Sequence, residues 1–323
     1  MNSTVERLPV LVLQPHGRCN CRCLMCDIWK VTDSTELSAA ELQRHLEAIQ
    51  RLGVKWAVFT GGEPLMHSDL FRLSRMLRAL SIRTTILTSG LLLARYAPRL
   101  AADADDVIVS LDGPAAVHDE IRGVPGAFAL LAEGVRALHR ASPEFAVSAR
   151  CTVQSRNATH LRETVEAARS LGLRSISFLA ADLSSAAFHR PTPWSEAKQS
   201  SVMPQLAALE TELEALIAGL PEDGFVLESP AKLRRIAAHF RAHHGLEPHT
   251  APRCNAPWVS AVLEQNGDVR PCFFHPPLGN ASGRSLGEVL NSPAAVAFRE
   301  GLQVSENPIC RKCVCSLYLP SPE

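Results

Sequence analysis

The sequence shows no excess of charge of either sign, because 33 Lys and Arg residues balance 33 Asp and Glu residues. Such a balance gives no support to a nucleic acid or a membrane surface as partner. No stretch approaches the roughly 20 apolar residues that span a bilayer. The N-terminal residues also lack a basic region ahead of a long apolar core. We therefore expect no signal peptide, no membrane segment and a cytoplasmic location.

Cysteine, in contrast, is abundant, with ten residues in 323. Four of them stand close together at Cys19, Cys21, Cys23 and Cys26. In a reducing compartment cysteines act more often as metal ligands or reactive thiols than as disulfides. Structural zinc usually takes Cys-x2-4-Cys pairs separated by a longer gap, whereas these four crowd one loop. The crowding favours an iron–sulfur cluster, and zinc stays the alternative.

The spacing of this loop resembles a known family signature. Cys19, Cys23 and Cys26 form CxxxCxxC with the apolar Met25 before the last cysteine. This pattern is similar to that of the radical S-adenosylmethionine (SAM) enzymes. The resemblance implies that these three residues hold a [4Fe-4S] cluster whose open iron chelates the amino and carboxylate groups of SAM. Cys21 lies inside the gap, matches nothing in the signature and is predicted not to be a ligand.

Short apolar segments alternate with amphipathic helical segments along the first part of the chain. Predicted strands cover residues 10–13, 55–59, 84–87, 106–111, 145–153 and 175–179, and predicted helices cover 39–52, 69–80, 91–102, 127–140 and 159–171. This alternation predicts an α/β fold with parallel strands and right-handed crossovers. The periodicity allows a doubly wound sheet as well. The family resemblance implies a partial (β/α)6 TIM-like barrel. In both folds the chemistry lies at the carboxyl ends of the strands.

A glycine-rich motif, Gly61-Gly62-Glu63-Pro64, follows the second predicted strand. Glycine lets the backbone approach a ligand closely, and Glu63 can accept from a cationic amine. The motif resembles the one that holds the SAM ammonium group in the family, although a plain turn between strand and helix is the alternative. The third strand ends in Thr-Ser-Gly instead of the family's Thr-Asn-Gly, which puts a SAM contact by Ser89 in doubt.

Polar residues also occur at the fourth and fifth strands. Strand alternation places Ser110 and Asp112 on the face toward the barrel lumen. Arg150 shares the lumen face of the fifth strand, while Cys151 points to the helix layer as a core thiol. A buried arginine needs an anion, for which the SAM carboxylate and an internal salt bridge are the candidates. Residues Gly61, Gly62, Glu63, Ser110, Asp112 and Arg150 are thus the predicted SAM-binding set.

The regular alternation of predicted strands and helices ends before residue 190. We expect a helical connector over residues 191–250 between a barrel at 1–190 and a C-terminal domain at 251–323. His239 and His243 are spaced i, i+4 as in some metal sites, but no acidic general base lies between them. A solvated helix face is therefore the favoured interpretation of these two histidines.

A second cysteine group lies near the C-terminus. Cys254 and Cys272 flank a predicted hairpin whose turn is Asn266-Gly267. Together with a distant CxxC, this layout resembles the SPASM/twitch extension of radical SAM enzymes in its one-cluster form. The resemblance implies an auxiliary [4Fe-4S] cluster, and zinc on the same four thiolates is the alternative. The implied ligands are Cys254, Cys272, Cys310 and Cys313, with Cys315 as a spare or a replacement for Cys313.

The resemblance implies an oxidoreductase or isomerase that cleaves SAM reductively with an electron donor such as flavodoxin or ferredoxin. The resulting 5′-deoxyadenosyl radical abstracts a hydrogen atom from the substrate. The first strand begins near residue 9, which leaves no room for the peptide-binding domain of many relatives and favours a small polar substrate. The alternatives are a peptide-modifying enzyme with a separate carrier and an iron–sulfur redox sensor without turnover.

Overall fold

The computed structural model of the protein describes residues 3–188, 190, 194–220 and 222–320. The strands of these residues are β1 (Val10–Gln14), β2 (Trp56–Phe59), β3 (Arg83–Thr88), β4 (Asp106–Ser110), β5 (Ala146–Val153), β6 (Ile176–Ala180), β7 (Ser260–Glu264), β8 (Asp268–Arg270) and β9 (Gly279–Asn280). The helices are α1 (Ala39–Arg51), α2 (Leu70–Arg78), α3 (Leu93–Asp103), α4 (Ala115–Arg122), α5 (Ala127–Ala141), α6 (Leu161–Ser170), α7 (Glu196–Val202), α8 (Leu206–Ala218), α9 (Pro230–His243), α10 (Ala256–Val259), α11 (Leu286–Leu290), α12 (Pro293–Gly301) and α13 (Pro308–Arg311).

All of these strands belong to one sheet in the order β6-β5-β4-β3-β2-β1-β7-β8-β9. Strands β1 to β6 are parallel to their neighbours, which confirms the predicted partial (β/α)6 barrel. Strand β7 continues the sheet on the other side of β1, also in parallel, with Val10 opposite Ser260. Strands β7 and β8 form the predicted antiparallel hairpin around Asn266-Gly267. The sheet therefore runs from the barrel into the C-terminal region without a break.

Alternating burial along β5 shows how the sheet divides the core from the lumen. Val147, Ala149 and Cys151 are at most 1% exposed, whereas Arg150 between them is exposed. The apolar face packs under the helices because burying apolar surface stabilises the fold. Cys151 is a core thiol, as predicted, and its Sγ accepts a hydrogen bond from Asn157 Nδ2 at 3.4 Å.

The sequence-based assignment missed α4, which follows directly on the fourth strand. The helix has eight residues and ends at Gly123, whose φ of +63° lies in the left-handed region that glycine adopts easily. A short helix shows little periodicity, so its amphipathic pattern is hard to detect.

The predicted boundary between barrel and connector falls beside residues 191–193, which lie outside the described residues. Within the described part of the chain, no helix has the length and apolar character needed to cross a membrane. Near the N-terminus, the Val5 amide donates to Asn291 Oδ1 at 2.8 Å and the Asn291 amide group donates to the Val5 carbonyl at 3.0 Å. The N-terminal segment is therefore hydrogen-bonded directly to the end of α11 in the C-terminal region.

Candidate functional site

The first cysteine loop connects β1 to α1, at the carboxyl end of the parallel strands. Cys19, Cys23 and Cys26 are partly buried, and Cys21 is only 2% exposed. A hydrogen bond from the Cys21 thiol lowers the pKa of Cys23 to about 7, and the same contacts with Cys19 and Cys23 raise the pKa of Cys21 itself. Burial also raises the pKa of Cys26, to about 12, so protonation does not separate Cys21 from the predicted ligands. The exclusion of Cys21 from the ligand set stays a prediction.

This geometry leads to a prediction for Cys21. Cys21→Ser is expected to keep the iron content and the SAM cleavage of the parent protein, because the serine hydroxyl can donate to the neighbouring thiolates as the thiol does. Iron per chain and cluster absorbance after anaerobic reconstitution measure this, with Cys23→Ser as the matched control that should lose the cluster. Loss of half the iron in Cys21→Ser would show that the ligand set is wrong.

The glycine motif after β2 packs against the residues that precede the first cysteine. The Glu63 amide donates to the Arg18 carbonyl at 2.8 Å, and the His16 Nε2–H donates to the Glu63 carbonyl at 2.8 Å. A Cβ on Gly62 would lie 1.9 Å from the Arg18 carbonyl oxygen, and Gly61 has a φ of +108°. Both glycines are therefore required for this close backbone approach.

The Glu63 side chain is 1% exposed and accepts four hydrogen bonds. Its Oε1 accepts from the Thr88 hydroxyl at 2.7 Å and from the Leu65 amide at 3.0 Å. Its Oε2 accepts from the amide and the hydroxyl of Ser89. Ser89, whose role was in doubt from the sequence, therefore orients the carboxylate at the end of β3. A contact between Glu63 and the SAM ammonium group stays a prediction.

Asp112 follows β4 and is fully buried. Its Oδ1 accepts from the Thr152 amide at 2.8 Å, and its Oδ2 forms an ion pair with Arg122. Burial raises the pKa of Asp112, whereas the Arg122 charge acts in the opposite direction. The carboxylate thus has protein partners on both oxygens, while Ser110 is partly exposed. SAM contacts by Ser110 and Asp112 stay predictions.

Arg122 is a functional candidate that the sequence analysis missed. Its Nη1 donates to Cys23 Sγ at 3.6 Å, although the two residues are 99 positions apart. The only sequence signal is an arginine that follows soon after the Ser-Leu-Asp-Gly-Pro segment. Without knowledge of α4, nothing in the sequence directs this side chain toward the cysteine loop.

The exposure of the Arg150 side chain differs from the sequence-based prediction. The side chain is exposed, not buried, because the lumen face of β5 is open at this level. Its Nε donates to Ser177 Oγ at 3.3 Å. Among the described residues, no carboxylate lies within ion-pair distance of Arg150. A role in binding the SAM carboxylate stays a prediction.

The C-terminal cysteines form a second group of free thiols. Burial raises the pKa of Cys272 and of Cys310 to about 11, and the charge of Cys254 acts on both. Cys310 and Cys313 are joined by a backbone hydrogen bond of 3.1 Å. Cys315 is the exposed member of the group. Cys254, Cys272 and Cys310 thus interact electrostatically, and the assignment of Cys254, Cys272, Cys310 and Cys313 as ligands of an auxiliary cluster stays a prediction.

This second group lies beside the barrel lumen. Arg235 of α9 donates through Nη2 to the Cys313 carbonyl at 2.5 Å. The charges of Arg150 on β5 and of Asp182 after β6 both act on the Cys315 thiol. Phe188, which also follows β6, packs on Phe273 with 5.0 Å between ring centroids. Phe273, next to Cys272, thus contacts the segment after β6, and Cys313 is hydrogen-bonded to α9.

The histidines of α9 do not form the expected solvated face. The ring centroids of His239 and His243 lie 4.7 Å apart, and those of His243 and His249 lie 4.6 Å apart. Burial lowers the pKa of His239 to about 3 and that of His243 to about 4. Among the described residues, no three His, Cys, Asp or Glu side chains are arranged around a single metal ion. The prediction was wrong because α9 packs this face against the loop at residue 249.

The donor sets fit iron–sulfur clusters. All ten cysteines are free thiols, and N–H groups point at the sulfurs in both groups. Arg122 donates to Cys23, and the Ala256 amide donates to Cys254 Sγ at 3.4 Å. Arg122 Nε is also buried without a hydrogen-bond partner among the described residues. Thiolates with N–H donors around them are the usual environment of such clusters.

Comparison with known proteins agrees with this chemistry. Residues 13–168 match the radical SAM superfamily, and residues 254–314 match the SPASM iron–sulfur cluster-binding domain. An AdoMet-dependent heme synthase from Oleidesulfovibrio alaskensis is 32% identical over 159 residues, which are 48% of this chain and 40% of that relative. A PqqA peptide cyclase from Methylocella silvestris is 27% identical over 325 residues, or 94% of this chain and 81% of the relative. The chain thus spans about 40% of the length of the heme synthase.

The fold has counterparts among solved structures. SuiB from Streptococcus suis, bound to the precursor peptide SuiA, superposes with a TM-score of 0.69 at 16% identity, covering 97% of this chain and 72% of SuiB. At this identity the likeness concerns the fold alone.

Proposed function

The chain belongs to the radical SAM superfamily and carries a SPASM domain, and from this premise we propose that it abstracts hydrogen from a small polar substrate. When bound, a [4Fe-4S] cluster supplies the electron that cleaves SAM into methionine and a 5′-deoxyadenosyl radical. Cys19, Cys23 and Cys26 would hold that cluster. Cys254, Cys272, Cys310 and Cys313 would hold the auxiliary cluster.

One observation carries the proposal: both cysteine groups lie at the barrel lumen. The first loop follows β1, and the charges of Arg150 at β5 and Asp182 after β6 act on the Cys315 thiol of the second group. A substrate in the lumen would therefore lie between the two groups. The protein's own contribution is to orient SAM with Glu63 and to exclude water from the reacting atoms.

The lining of the lumen supports a polar substrate. Ser148, Arg150 and Thr152 share the lumen face of β5, and Ser177 of β6 lies within hydrogen-bond distance of Arg150. Hydroxyl and guanidinium groups can position hydroxyl, amino or carboxylate groups of a small metabolite. We expect either a two-electron oxidation at a carbinol or amine carbon or an inversion at such a carbon.

A peptide substrate is the second candidate. The PqqA peptide cyclase aligns with 94% of this chain, so the similarity extends beyond the radical SAM region into the C-terminal domain. In this alternative, a separate carrier protein would deliver the peptide to the lumen.

Deuterated water separates the reaction classes. In an oxidation, one hydrogen atom goes to the 5′-deoxyadenosyl radical, a proton goes to solvent, and the auxiliary cluster on the C-terminal cysteines would accept the remaining electron. The product is therefore two hydrogens lighter and carries no deuterium at the reacting carbon. An inversion returns a hydrogen from the other face and leaves deuterium there when the donor exchanges with solvent. Mass spectrometry of anaerobic reactions with small polyols, amino sugars and peptides measures both. If only peptides stimulate SAM cleavage above background, the small-molecule proposal is wrong and the peptide alternative stands.

A further inference from the structure

Helix α4 is fixed against the first cysteine loop by backbone contacts. The Arg22 amide donates to the Arg122 carbonyl at 2.8 Å, and the Leu24 amide donates to the Ile121 carbonyl at 3.0 Å. A Cβ on Gly123 would lie 2.7 Å from the Arg22 carbonyl oxygen. The last turn of α4 and the segment between the cysteines therefore behave as one packed unit.

This packing places the Arg122 guanidinium between a carboxylate and a cysteine sulfur. The Arg122 side chain is 9% exposed and the Asp112 side chain is 0% exposed. Nη2 pairs with Asp112, while Nη1 is directed at Cys23 Sγ. Asp112 is held in turn by the Thr152 amide and by Asn157 Nδ2, which donates to the Asp112 carbonyl at 2.9 Å. The guanidinium is thus held by Asp112 at Nη2 and by Cys23 Sγ at Nη1.

A fixed positive charge next to a ligand sulfur has a defined electronic effect. Reduction adds negative charge to a cluster, and N–H donors and cations near the sulfurs stabilise the reduced state. Burial strengthens the effect because the surrounding dielectric is low. The Asp112 carboxylate is on the side of the guanidinium away from Nη1, so it opposes the effect only in part.

We propose that Arg122 is a positioning residue that raises the reduction potential of the cluster on Cys19, Cys23 and Cys26, with Asp112 fixing its guanidinium. The inference rests on the proposed function, since it requires a cluster at this loop. In this proposal Asp112 acts indirectly, by holding Arg122 in place. From the sequence, Asp112 is instead predicted to contact SAM directly.

The test compares reduction midpoints of reconstituted full-length variants. Arg122→Met removes the charge and the hydrogen-bond donor. We expect the reduction midpoint of the SAM-responsive cluster to fall by about 59 mV, which corresponds to about a tenfold change in the one-electron equilibrium. Arg122→Lys keeps the charge and the pairing with Asp112, so an intermediate midpoint is expected. Arg156→Met is the control, because Arg156 forms a surface ion pair with Glu120 of α4, the helix that also carries Arg122. The Arg156 side chain is 56% exposed. The midpoint of this control variant should equal that of the parent.

A buried Asp112 without its partner can impair folding of Arg122→Met. The double variant Asp112→Asn/Arg122→Met leaves no unpaired buried charge, and its midpoint should still lie below that of the parent, although by less than in Arg122→Met because the opposing carboxylate charge is also removed. The midpoint is followed by the EPR signal that changes on adding SAM, after iron per chain has been measured. Iron-loaded Arg122 variants with the parent midpoint would overturn the inference and leave Arg122 a purely structural residue. A parent protein that binds no SAM-responsive cluster would instead reject the proposed function.

Discussion

Replacing Cys19, Cys23 and Cys26 with alanine is expected to lower the iron content from about eight to about four per chain, since each cubane holds four irons. SAM cleavage should be lost completely, because no other cysteine group among the described residues lies beside the glycine motif after β2. Iron analysis and assay of 5′-deoxyadenosine on anaerobically reconstituted protein measure both effects. Iron that stays near eight would mean that the loop holds no cluster.

The C-terminal group provides the matched control. Cys310→Ala is expected to lose the other half of the iron while SAM cleavage persists. Cys313→Ala and Cys315→Ala then decide the fourth ligand, and only Cys313→Ala should lose iron, because Cys310 and Cys313 form the CxxC pair of the resembled pattern. Zinc found in place of the missing iron by elemental analysis would contradict an auxiliary iron–sulfur cluster.

Glu63→Ala is expected to weaken SAM binding by about 1.5–3 kcal/mol, the usual contribution of a charge-assisted hydrogen bond, or roughly tenfold to 150-fold in Kd. The change removes the carboxylate that Thr88 and Ser89 orient at the end of β3. It also leaves these buried donors without an acceptor. Equilibrium binding of SAM to the cluster-loaded variant measures the effect.

Two variants separate binding from folding. Glu63→Gln keeps an oxygen acceptor for Thr88 and removes the charge, but its NH2 group would face the Ser89 amide donor. Its fold is therefore checked by thermal unfolding, and the folded variant should bind SAM more weakly. Glu41→Ala removes a carboxylate from the capping box of α1, far along the chain from the glycine motif, and should leave SAM affinity unchanged. Parent-like affinity in both Glu63 variants would restrict Glu63 to stabilising the turn.

Much of the barrel could be predicted from local patterns. The six predicted strands agree with β1 to β6 within one or two residues, because short apolar segments between amphipathic helices have little alternative to a parallel sheet. The Asn266-Gly267 hairpin was also predictable, since this dipeptide favours the turn that joins twisted antiparallel strands. Spacing identified both cysteine groups without any knowledge of the fold.

Contacts between distant segments could not be predicted. Nothing in the sequence indicates that Arg122 reaches Cys23 or that Ser89 orients Glu63, because each pair meets only after the sheet has formed. The exposure of Arg150 and the burial of His239 have the same origin. Strand alternation assigns a side chain to a face, but the neighbouring elements determine how deeply that face is covered.

The pairing of β1 with β7 has a consequence for biosynthesis. Val10 lies opposite Ser260 in the sheet, so one edge of β1 stays unpaired until residues 260–264 have left the ribosome. Contacts of such large sequence separation slow folding, because loop closure must precede any gain from pairing. The cysteine loop directly after β1 would thus become rigid late, and metal delivery to it would follow translation. A fragment ending near residue 250 would also expose an unpaired strand edge, which promotes aggregation.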